Sequence, residues 1–380
     1  MNNILRIVES QIKEKLFHGR VIILFGARRT GKTTLVKRLV EQYPEKNAKY
    51  FQCELLANKE VLETQDPEKI IKYWGETNLV VLDEAQNVGR IGEVLKLLVD
   101  IHPEIQIVAT GSSSFELAHK TKESMVGRVE EFMLYPLAVS EITDKAGWGE
   151  AERSLSSWLQ YGSYPEVWGE STREARGRLD QLVSGYLYKD VLMYAGIKNS
   201  GLIKDLLQLL SRQVGSEVSY NELAGILGVD RLTVKKYIDV LEQNFVIFTL
   251  HSYSRNLRSE IRKGIKIYFW DIGVRNSLIQ AFSPMELRVD NGAVWENWWI
   301  AERLKYLKYT QQYRNNYFWR TTDQHEIDYI EEHENKIEGF EIKWRKDGKP
   351  NKSLKDFNSA YPNTQVNIVD RKNYWEWLMS

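Results

Sequence analysis

The chain has 380 residues, of which 43% are hydrophobic and 27% charged, and its 52 lysines and arginines balance 52 aspartates and glutamates. This length predicts two or three domains, and the balanced charge favours no partner, so that a nucleic-acid surface would have to be a local patch. Cys53 is the only cysteine, which excludes an internal disulfide and a cysteine-based zinc site. No apolar run approaches the ~18 residues that span a bilayer, and residues 1–15 are polar rather than signal-like, so we expect a cytoplasmic protein without membrane contact.

A phosphate-binding loop pattern follows the first apolar run of the chain. Residues 21–25 (VIILF) are typical of a β-strand, and residues 35–40 carry apolar side chains at helical spacing. Between them stands Gly-x4-Gly-Lys-Thr, in the strand-to-helix context in which this pattern binds a nucleoside triphosphate. Lys32 is expected to reach the β- and γ-phosphates, and the Thr33 hydroxyl to complete a Mg²⁺ shell. The predicted nucleotide contacts are Gly26, Ala27, Arg28, Arg29, Thr30, Gly31, Lys32, Thr33 and Thr34.

A second apolar run ends in two carboxylates. Residues 79–84 (LVVLDE) have the pattern of a buried parallel strand whose functional groups lie at its C-terminal end. We expect Asp83 to hold Mg²⁺ through water and Glu84 to polarise the attacking water, which separates a hydrolase from a nucleotide-binding switch. A buried strand that merely ends in Asp-Glu is the less favoured interpretation, because this run follows the loop by about fifty residues.

Three further features fit the same sheet. Residues 49–55 and 105–114 are strand-like, and the second segment ends in Thr110 and Ser112. Either hydroxyl is placed to sense the γ-phosphate, although a turn after a buried strand is an equally good interpretation. Arg128 precedes a fifth strand-like run, where it is either a surface arginine or a finger that reaches the nucleotide of a neighbouring subunit in a homo-oligomer.

The order of these segments resembles a known group of proteins. GARRTGKTT, LVVLDEAQ, ATGSSSFEL, GR and FMLYPLAVSEI look like the AAA-type ATPases of bacteria and archaea, and more closely like the subgroup with a C-terminal domain of unassigned function. The resemblance implies ATP and Mg²⁺ as cofactors and a helical lid after the core. Ser163 departs from the family, which usually has a second glycine there, and no chemistry depends on it. Later segments extend the resemblance over the whole chain: YGSYPEV (161–167), YLYKDVL (186–192), IYFWDIGVRNSL (267–278) and GAVWENW (292–298).

Residues 205–250 predict a helix-turn-helix. Ser219 caps a first helix, in which Leu223, Ile226 and Leu227 recur at helical spacing, and a turn at 228–230 leads into a second helix. The strands FVIFTL and IKIYFW then fit a wing. The second helix is expected to pack inward through Leu232, Val234, Tyr237, Ile238 and Leu241.

In DNA-binding versions of this motif the second helix lies in the major groove. Residues 231–266 contain eight lysines and arginines against three acidic residues, a modest basic excess that supports phosphate contacts. Winged helices also serve as packing or protein-contact modules, so both DNA and a protein partner remain open, with DNA favoured over RNA. The predicted DNA contacts are Arg231, Thr233, Lys235 and Lys236.

The C-terminal third carries an acid–lysine pattern. Glu296 lies in a helical run, Asp328 in a strand-like segment, and Glu341 and Lys343 lie two apart at the end of another strand. We expect Asp328, Glu341 and the carbonyl between the two carboxylates to hold Mg²⁺ or Mn²⁺. Lys343 is expected to neutralise charge or to orient the attacking water, and Glu296 to add an outer ligand. The pattern resembles the restriction-endonuclease-like PD-(D/E)xK superfamily, although Glu-x-Lys is also common as a charge pair on exposed strands.

The sequence therefore predicts an α/β protein made of four parts. They are a P-loop parallel-sheet ATPase core (1–145), a helical lid (146–204), a winged helix (205–275) and an α/β restriction-endonuclease-like domain (276–380). The preferred interpretation is an ATPase that acts on nucleic acid with a nuclease-like domain. The alternative is a nucleotide-dependent switch whose C-terminal domain is an inactive binding module. Dinucleotide redox chemistry is disfavoured, because Gly-x-Gly-x-x-Gly is absent after the first strand.

Overall fold

A computed structural model describes residues 4–112, 125–187, 200–254, 264–345, 352–362 and 364–379. The segments ATGSSSFEL (109–117) and YLYKDVL (186–192) lie partly outside these described residues. The chain forms two compact units, which we describe separately. Unit 1 comprises residues 1–136 and 243–245, and unit 2 comprises residues 137–242 and 246–380.

Unit 1 is a parallel α/β sheet flanked by helices. Its first, third and fourth strands are buried along their whole length, which explains why they read as continuous apolar runs. The strands are β1 (Val21–Phe25), β2 (Lys49–Gln52), β3 (Leu79–Asp83), β4 (Gln106–Gly111) and β5 (Val129–Met133). The helices are α1 (Ile7–Lys15), α2 (Lys32–Gln42), α3 (Leu56–Glu63), α4 (Pro67–Trp74) and α5 (Ile91–Ile101).

The strand order in unit 1 is β2-β3-β4-β1-β5, and every pairing is parallel. The carboxyl ends of β1, β3 and β4 therefore lie side by side at one edge of the sheet, which is where open parallel sheets place their ligands. The parallel core predicted from the sequence is confirmed, as are the strands predicted within residues 49–55 and 105–114.

Unit 2 combines helices with a seven-stranded mixed sheet. Its helices are α6 (Val139–Ala146), α7 (Trp148–Tyr161), α8 (Thr172–Leu182), α9 (Ser200–Arg212), α10 (Tyr220–Leu227), α11 (Arg231–Gln243), α12 (Ile272–Leu278), α13 (Asn291–Tyr309) and α14 (Lys352–Ala360). Its strands are β6 (Glu217–Val218), β7 (Ile247–Ser252), β8 (Ile265–Phe269), β9 (Asn315–Arg320), β10 (Glu326–His333), β11 (Lys336–Ile342) and β12 (Gln365–Val369). No helix within the described residues combines the length and the hydropathy needed to cross a bilayer.

The two strands predicted as a wing are inner strands of this sheet. The order is β12-β11-β10-β9-β7-β8-β6, so that β7 pairs antiparallel with β8 and parallel with β9. The physical reason lies in β7 and β8, which are largely buried and need partners on both edges. The segments predicted as a winged helix and as a C-terminal domain therefore share one sheet.

The two helices predicted between residues 219 and 243 are present as α10 and α11. The Ser219 hydroxyl accepts a hydrogen bond from the Glu222 N–H, and Gly228 ends α10 with a positive φ of 66°. One predicted core position is wrong, because Leu232 is 75% exposed. Leu232 lies in the first turn of α11, beyond the part of the helix that packs inward. The buried positions that the sequence identified correctly in α11 are Val234, Tyr237, Ile238 and Leu241.

Candidate functional site

The phosphate-binding loop is closed by two glycines with positive φ. Gly26 has a φ of 154°, and Gly31, which precedes α2, has a φ of 100°. A Cβ added at Gly26 would lie 2.2 Å from the backbone oxygen of Leu134. The loop therefore passes so close to the residue after β5 that only glycine fits at position 26. Helix α2 begins directly after Gly31, so its first N–H groups lie at the loop.

The Lys32 side chain folds back into the loop. Its Nζ donates to the backbone oxygens of Gly26 at 2.8 Å and Ala27 at 3.1 Å, and the side chain is almost completely buried. The Thr30 hydroxyl donates to the same Ala27 oxygen at 2.8 Å. The loop thus holds an ammonium group among its own carbonyls, at the start of α2. Of the other predicted contacts, Arg28 is partly buried, whereas Arg29 and Thr34 are exposed.

Asp83 is the centre of a hydroxyl cluster at the end of β3. The Thr33 hydroxyl donates to its Oδ2 at 2.8 Å, and the Tyr50 hydroxyl donates to the same oxygen at 2.6 Å. The Thr110 hydroxyl donates to Oδ1. The structure thus brings together Thr33 and Asp83, which were predicted as partners in a magnesium site, although they lie fifty residues apart.

Tyr50 was missed by the sequence interpretation. It lies in β2, whose register places Gln52 opposite Asp83, and its hydroxyl reaches the carboxylate from the neighbouring strand. Burial and the hydrogen bond to Asp83 raise the pKa of Tyr50 well above its ordinary value, so that the phenol stays protonated and donates. Burial and the negative charges of Asp83 and Glu84 raise the pKa of the neighbouring Cys53 thiol to about 12, which makes the thiol unsuited to nucleophilic chemistry.

Glu84 adopts a strained backbone conformation beside this cluster. Its φ is 55°, which is unusual for a residue with a side chain, and such strain is commonly retained at functional positions. Its N–H donates to the Thr110 hydroxyl at 2.9 Å, and its carboxylate accepts from Gln86. Gln86 also donates to the Ser112 hydroxyl at 3.0 Å. The two hydroxyl residues predicted to sense phosphate therefore both belong to the network that positions Asp83 and Glu84.

Arg6 supports the loop from the segment before α1. Its guanidinium donates to the backbone oxygens of Thr30 at 2.7 Å and Tyr135 at 2.6 Å, and the side chain is buried. The guanidinium therefore links the loop to the chain that leaves β5. No local motif marks this residue, because its two acceptors lie 24 and 129 positions away in sequence.

Arg128 lies at the opposite edge of the sheet from the loop. The next residue, Val129, pairs with Val21, the first residue of β1, whereas the loop follows the last residue of β1. Arg128 forms an ion pair with Asp100, with Nε 2.6 Å from Oδ1. It therefore cannot serve the loop of its own chain, and a role towards a neighbouring copy stays a prediction.

Three of the four predicted C-terminal residues come together in unit 2. Asp328 Oδ2 accepts from the Ile342 N–H at 2.7 Å, and Lys343 Nζ lies 2.6 Å from Glu341 and 3.9 Å from Asp328. The register between β9 and β10 shifts between Ile327 and Ile330, so that Asp328 lies at a β-bulge. Bulges re-aim side chains and recur next to active sites. Burial raises the pKa of Asp328, and the nearby lysine charges oppose that rise.

Glu296 has different partners from those expected. Its Oε1 accepts from the Tyr268 hydroxyl at 2.6 Å and from Lys266 Nζ at 3.1 Å. Lys266 is also paired with Glu326. Burial raises the pKa of Glu296 to about 7, against the opposing charge of Lys266.

The structure does not add Glu296 to Asp328 and Glu341 as the predicted outer metal ligand. Among the described residues, no group of three or more His, Cys, Asp or Glu side chains is arranged to hold a metal ion. The physical reason is that Lys266 already pairs with Glu296. Sequence interpretation missed Lys266 and Glu326, although a lone lysine inside the apolar run IKIYF was the available signal.

The basic residues predicted to contact DNA lie at the start of α11. Arg231, Lys235 and Lys236 are exposed, whereas the Thr233 hydroxyl and N–H both donate to the Asp230 carboxylate. Thr233 therefore stabilises the beginning of the helix, and the three cations form the exposed basic face.

Replacing Gly26 by alanine is predicted to eliminate binding of a fluorescent ATP analogue, because the added Cβ meets the Leu134 oxygen and displaces the loop. G19A is the matched control, since Gly19 also has a positive φ but has open space around it. Titration of both variants with the analogue, after a check of folding by circular dichroism, gives the comparison. Normal binding by a folded G26A would contradict the described loop geometry.

Three segments of the chain match known protein families. Residues 18–143 match the family described as an AAA domain, and residues 152–285 and 291–374 match two families, each described as a domain of unknown function (DUF8612 and DUF4143). An uncharacterised protein of Mycobacterium tuberculosis is 28% identical over 338 residues, which are 88% of this chain and 72% of that protein. An uncharacterised protein of Methanocaldococcus jannaschii is 24% identical over 268 residues, covering 66% of this chain and 60% of that protein.

Solved structures add only distant similarities. AMPPCP-bound DnaA from Aquifex aeolicus aligns with 62% of this chain and 86% of its own, at a TM-score of 0.29 and 16% identity. The Pif1 helicase from Candida albicans aligns with 48% of this chain and 53% of its own, at a TM-score of 0.26 and 18% identity. TM-scores this low carry no argument. The AAA-domain match includes the phosphate-binding loop, Asp83 and Glu84, and it supports an AAA-type, nucleotide-binding ATPase in unit 1.

Proposed function

We propose that unit 1 binds and hydrolyses ATP with Mg²⁺. The observation that carries this proposal is the contact between Thr33 and Asp83, 2.8 Å apart, with Glu84 as the next residue. A hydroxyl and a carboxylate are hard oxygen ligands of the kind that Mg²⁺ prefers, so these residues fit the ion. The match of residues 18–143 to an AAA domain supports the same assignment.

Each residue of the cluster has a distinct role in this proposal. Bound Mg²⁺ would neutralise the charge on the phosphates, and Thr33 and Asp83 would hold it. Lys32 would exchange its carbonyl partners in the loop for phosphate oxygens, and Thr110 would keep the Asp83 carboxylate in place. The Glu84 carboxylate would orient a water molecule and accept its proton.

Two substitutions separate nucleotide binding from hydrolysis. K32A is predicted to release no phosphate from ATP, because the only ammonium group described in the loop is removed. E84Q is predicted to bind ATP normally but to release phosphate at least about 100-fold more slowly, since an amide is a far weaker base. Phosphate release and calorimetric binding measure the two effects, with K59A, at a partly exposed position of α3, as the control. A fully active K32A would show that the loop does not serve hydrolysis.

We further propose that unit 2 contacts nucleic acid, DNA rather than RNA, through the basic face of α11. Support comes from the exposed cations Arg231, Lys235 and Lys236, together with the buried face that fixes the helix orientation. A protein partner on the same face is the alternative, and the exposed Leu232 suits such a contact. We also propose that the chain forms homo-oligomers when ATP is bound, with Arg128 at the contact between copies. Measuring the size of the protein in solution with and without ATP tests this.

Binding of a fluorescent DNA duplex should weaken in the double variant K235A/K236A. Each lysine that neutralises a phosphate contributes about one unit to the slope of log affinity against log salt, so the slope should fall by about two. Fluorescence anisotropy over a range of salt concentrations measures this slope. K69A/K72A, which removes two exposed lysines from α4, should leave it unchanged. Equal slopes for wild type and K235A/K236A would contradict DNA binding at this face.

A second candidate activity is metal-assisted cleavage of nucleic acid at Asp328, Glu341 and Lys343. The supporting observation is the meeting of these three side chains at the β-bulge, as such chemistry requires. Two carboxylates are enough for Mg²⁺ or Mn²⁺ when substrate phosphate supplies further oxygens. Glu296 does not fit as a third ligand while it is paired with Lys266.

Wild-type protein is predicted to cut DNA or RNA with Mg²⁺ or Mn²⁺, and E341A or K343A is predicted to abolish the cutting. K336A, at the exposed start of the same strand, is the control that should cut normally. Gel assays with both metals and with ATP present measure the activity. If wild type cuts no nucleic acid under any of these conditions, the protein is instead a nucleotide-dependent switch with an inactive binding module in unit 2.

A further inference from the structure

Lys266 is a buried charge in β8, the second strand from one edge of the sheet of unit 2. It lies in β8 between Ile265 and Ile267, and its side chain is 1% exposed. Burying an ammonium group costs several kcal/mol unless carboxylates compensate for it. A lysine at this position therefore indicates that the anionic groups around it require a cation.

The surroundings of Lys266 supply this compensation. Its Nζ contacts Glu296 Oε1 at 3.1 Å and also pairs with Glu326, and it lies 5.5 Å from the centre of the Phe318 ring. Burial lowers the pKa of Lys266, but the charges of Glu296, Asp328 and Glu326 more than offset this, so the pKa lies above the ordinary lysine value. The ammonium group is therefore held by carboxylates within the protein.

Two of the carboxylates that act on Lys266, Glu296 and Asp328, are also predicted metal ligands. The lysine and tyrosine donors converge on one oxygen of Glu296, and Asp328 is close enough for its charge to act on both Glu296 and Lys266. A divalent ion that reached Glu296 would meet the Lys266 ammonium at close range, where like charges repel strongly in a buried site. An ammonium group and a metal ion therefore exclude each other at Glu296.

We propose that Lys266 is the resident cation of this carboxylate cluster, and that a divalent metal ion reaches Glu296 only by displacing the Lys266 ammonium. The proposal rests on the candidate cleavage site described above, and it adds a positioning residue to that site. Lys266 holds Glu296 and Glu326 in place without metal, and it weakens metal binding in the wild-type chain.

Calorimetric titration of the full chain with Mn²⁺ tests this competition. Every protein carries D83N, so that Mn²⁺ binding in unit 1 is not counted. K266M, which keeps the length of the side chain but removes its charge, should bind Mn²⁺ at least about tenfold more tightly than the parent. K266R should remain close to the parent. K305M is the matched control, since Lys305 is equally buried and paired with Glu302 at 2.7 Å, and its affinity should be unchanged.

A second pair of variants covers the case in which K266M does not fold. K266M/E326Q removes one charge of each sign, and it should bind Mn²⁺ more tightly than E326Q alone. Equal or weaker Mn²⁺ binding without Lys266, or no Mn²⁺ binding by any variant, would overturn the proposal. Tighter binding by K266M together with no nucleic-acid cleavage by any variant would support the role of Lys266 and reject only the cleavage activity.

Discussion

The arrangement of unit 1 around its phosphate-binding loop depends on the hydrogen bonds that the Asp83 carboxylate accepts. The carboxylate is only 2% exposed, and it accepts hydrogen bonds from hydroxyls on α2, β2 and β4 while terminating β3 itself. A hydrogen bond to a charged acceptor contributes about 1.5–3 kcal/mol, and a buried carboxylate without such donors would be strongly destabilising. The parallel strand order makes the cluster possible, because it places the ends of β3 and β4 next to the loop that follows β1.

The two units handle buried charge in different ways. In unit 1 the Asp83 carboxylate is surrounded by neutral hydroxyls, so its negative charge is available to a metal ion. In unit 2 the carboxylates are balanced within the protein by Lys266 and Lys343. This contrast supports the proposed ATP site in unit 1 and the proposed competition between Lys266 and a metal ion at Glu296 in unit 2.

Sequence patterns predicted the elements better than the contacts between them. Continuous apolar runs identified β1, β3 and β4, and the loop motif identified Gly26 and Lys32, because both signals are local. Tyr50, Arg6 and Lys266 were missed, because their partners are set by strand register and chain crossings rather than by neighbouring residues. Leu232 was predicted as buried because its spacing fits the helix, yet it lies in the first turn, which the packing does not cover.

Steady-state phosphate release from ATP by the full chain carrying Asp83→Asn tests the proposed ATPase site of unit 1 most directly. The amide keeps the size of the side chain but removes the charge that three hydroxyls and Mg²⁺ are expected to share. We expect D83N to be folded and to release no phosphate above background, whereas Y50F, which removes a single donor, keeps measurable activity. Hydrolysis by D83N at the wild-type rate would contradict the assignment of unit 1 as an ATPase centred on Asp83.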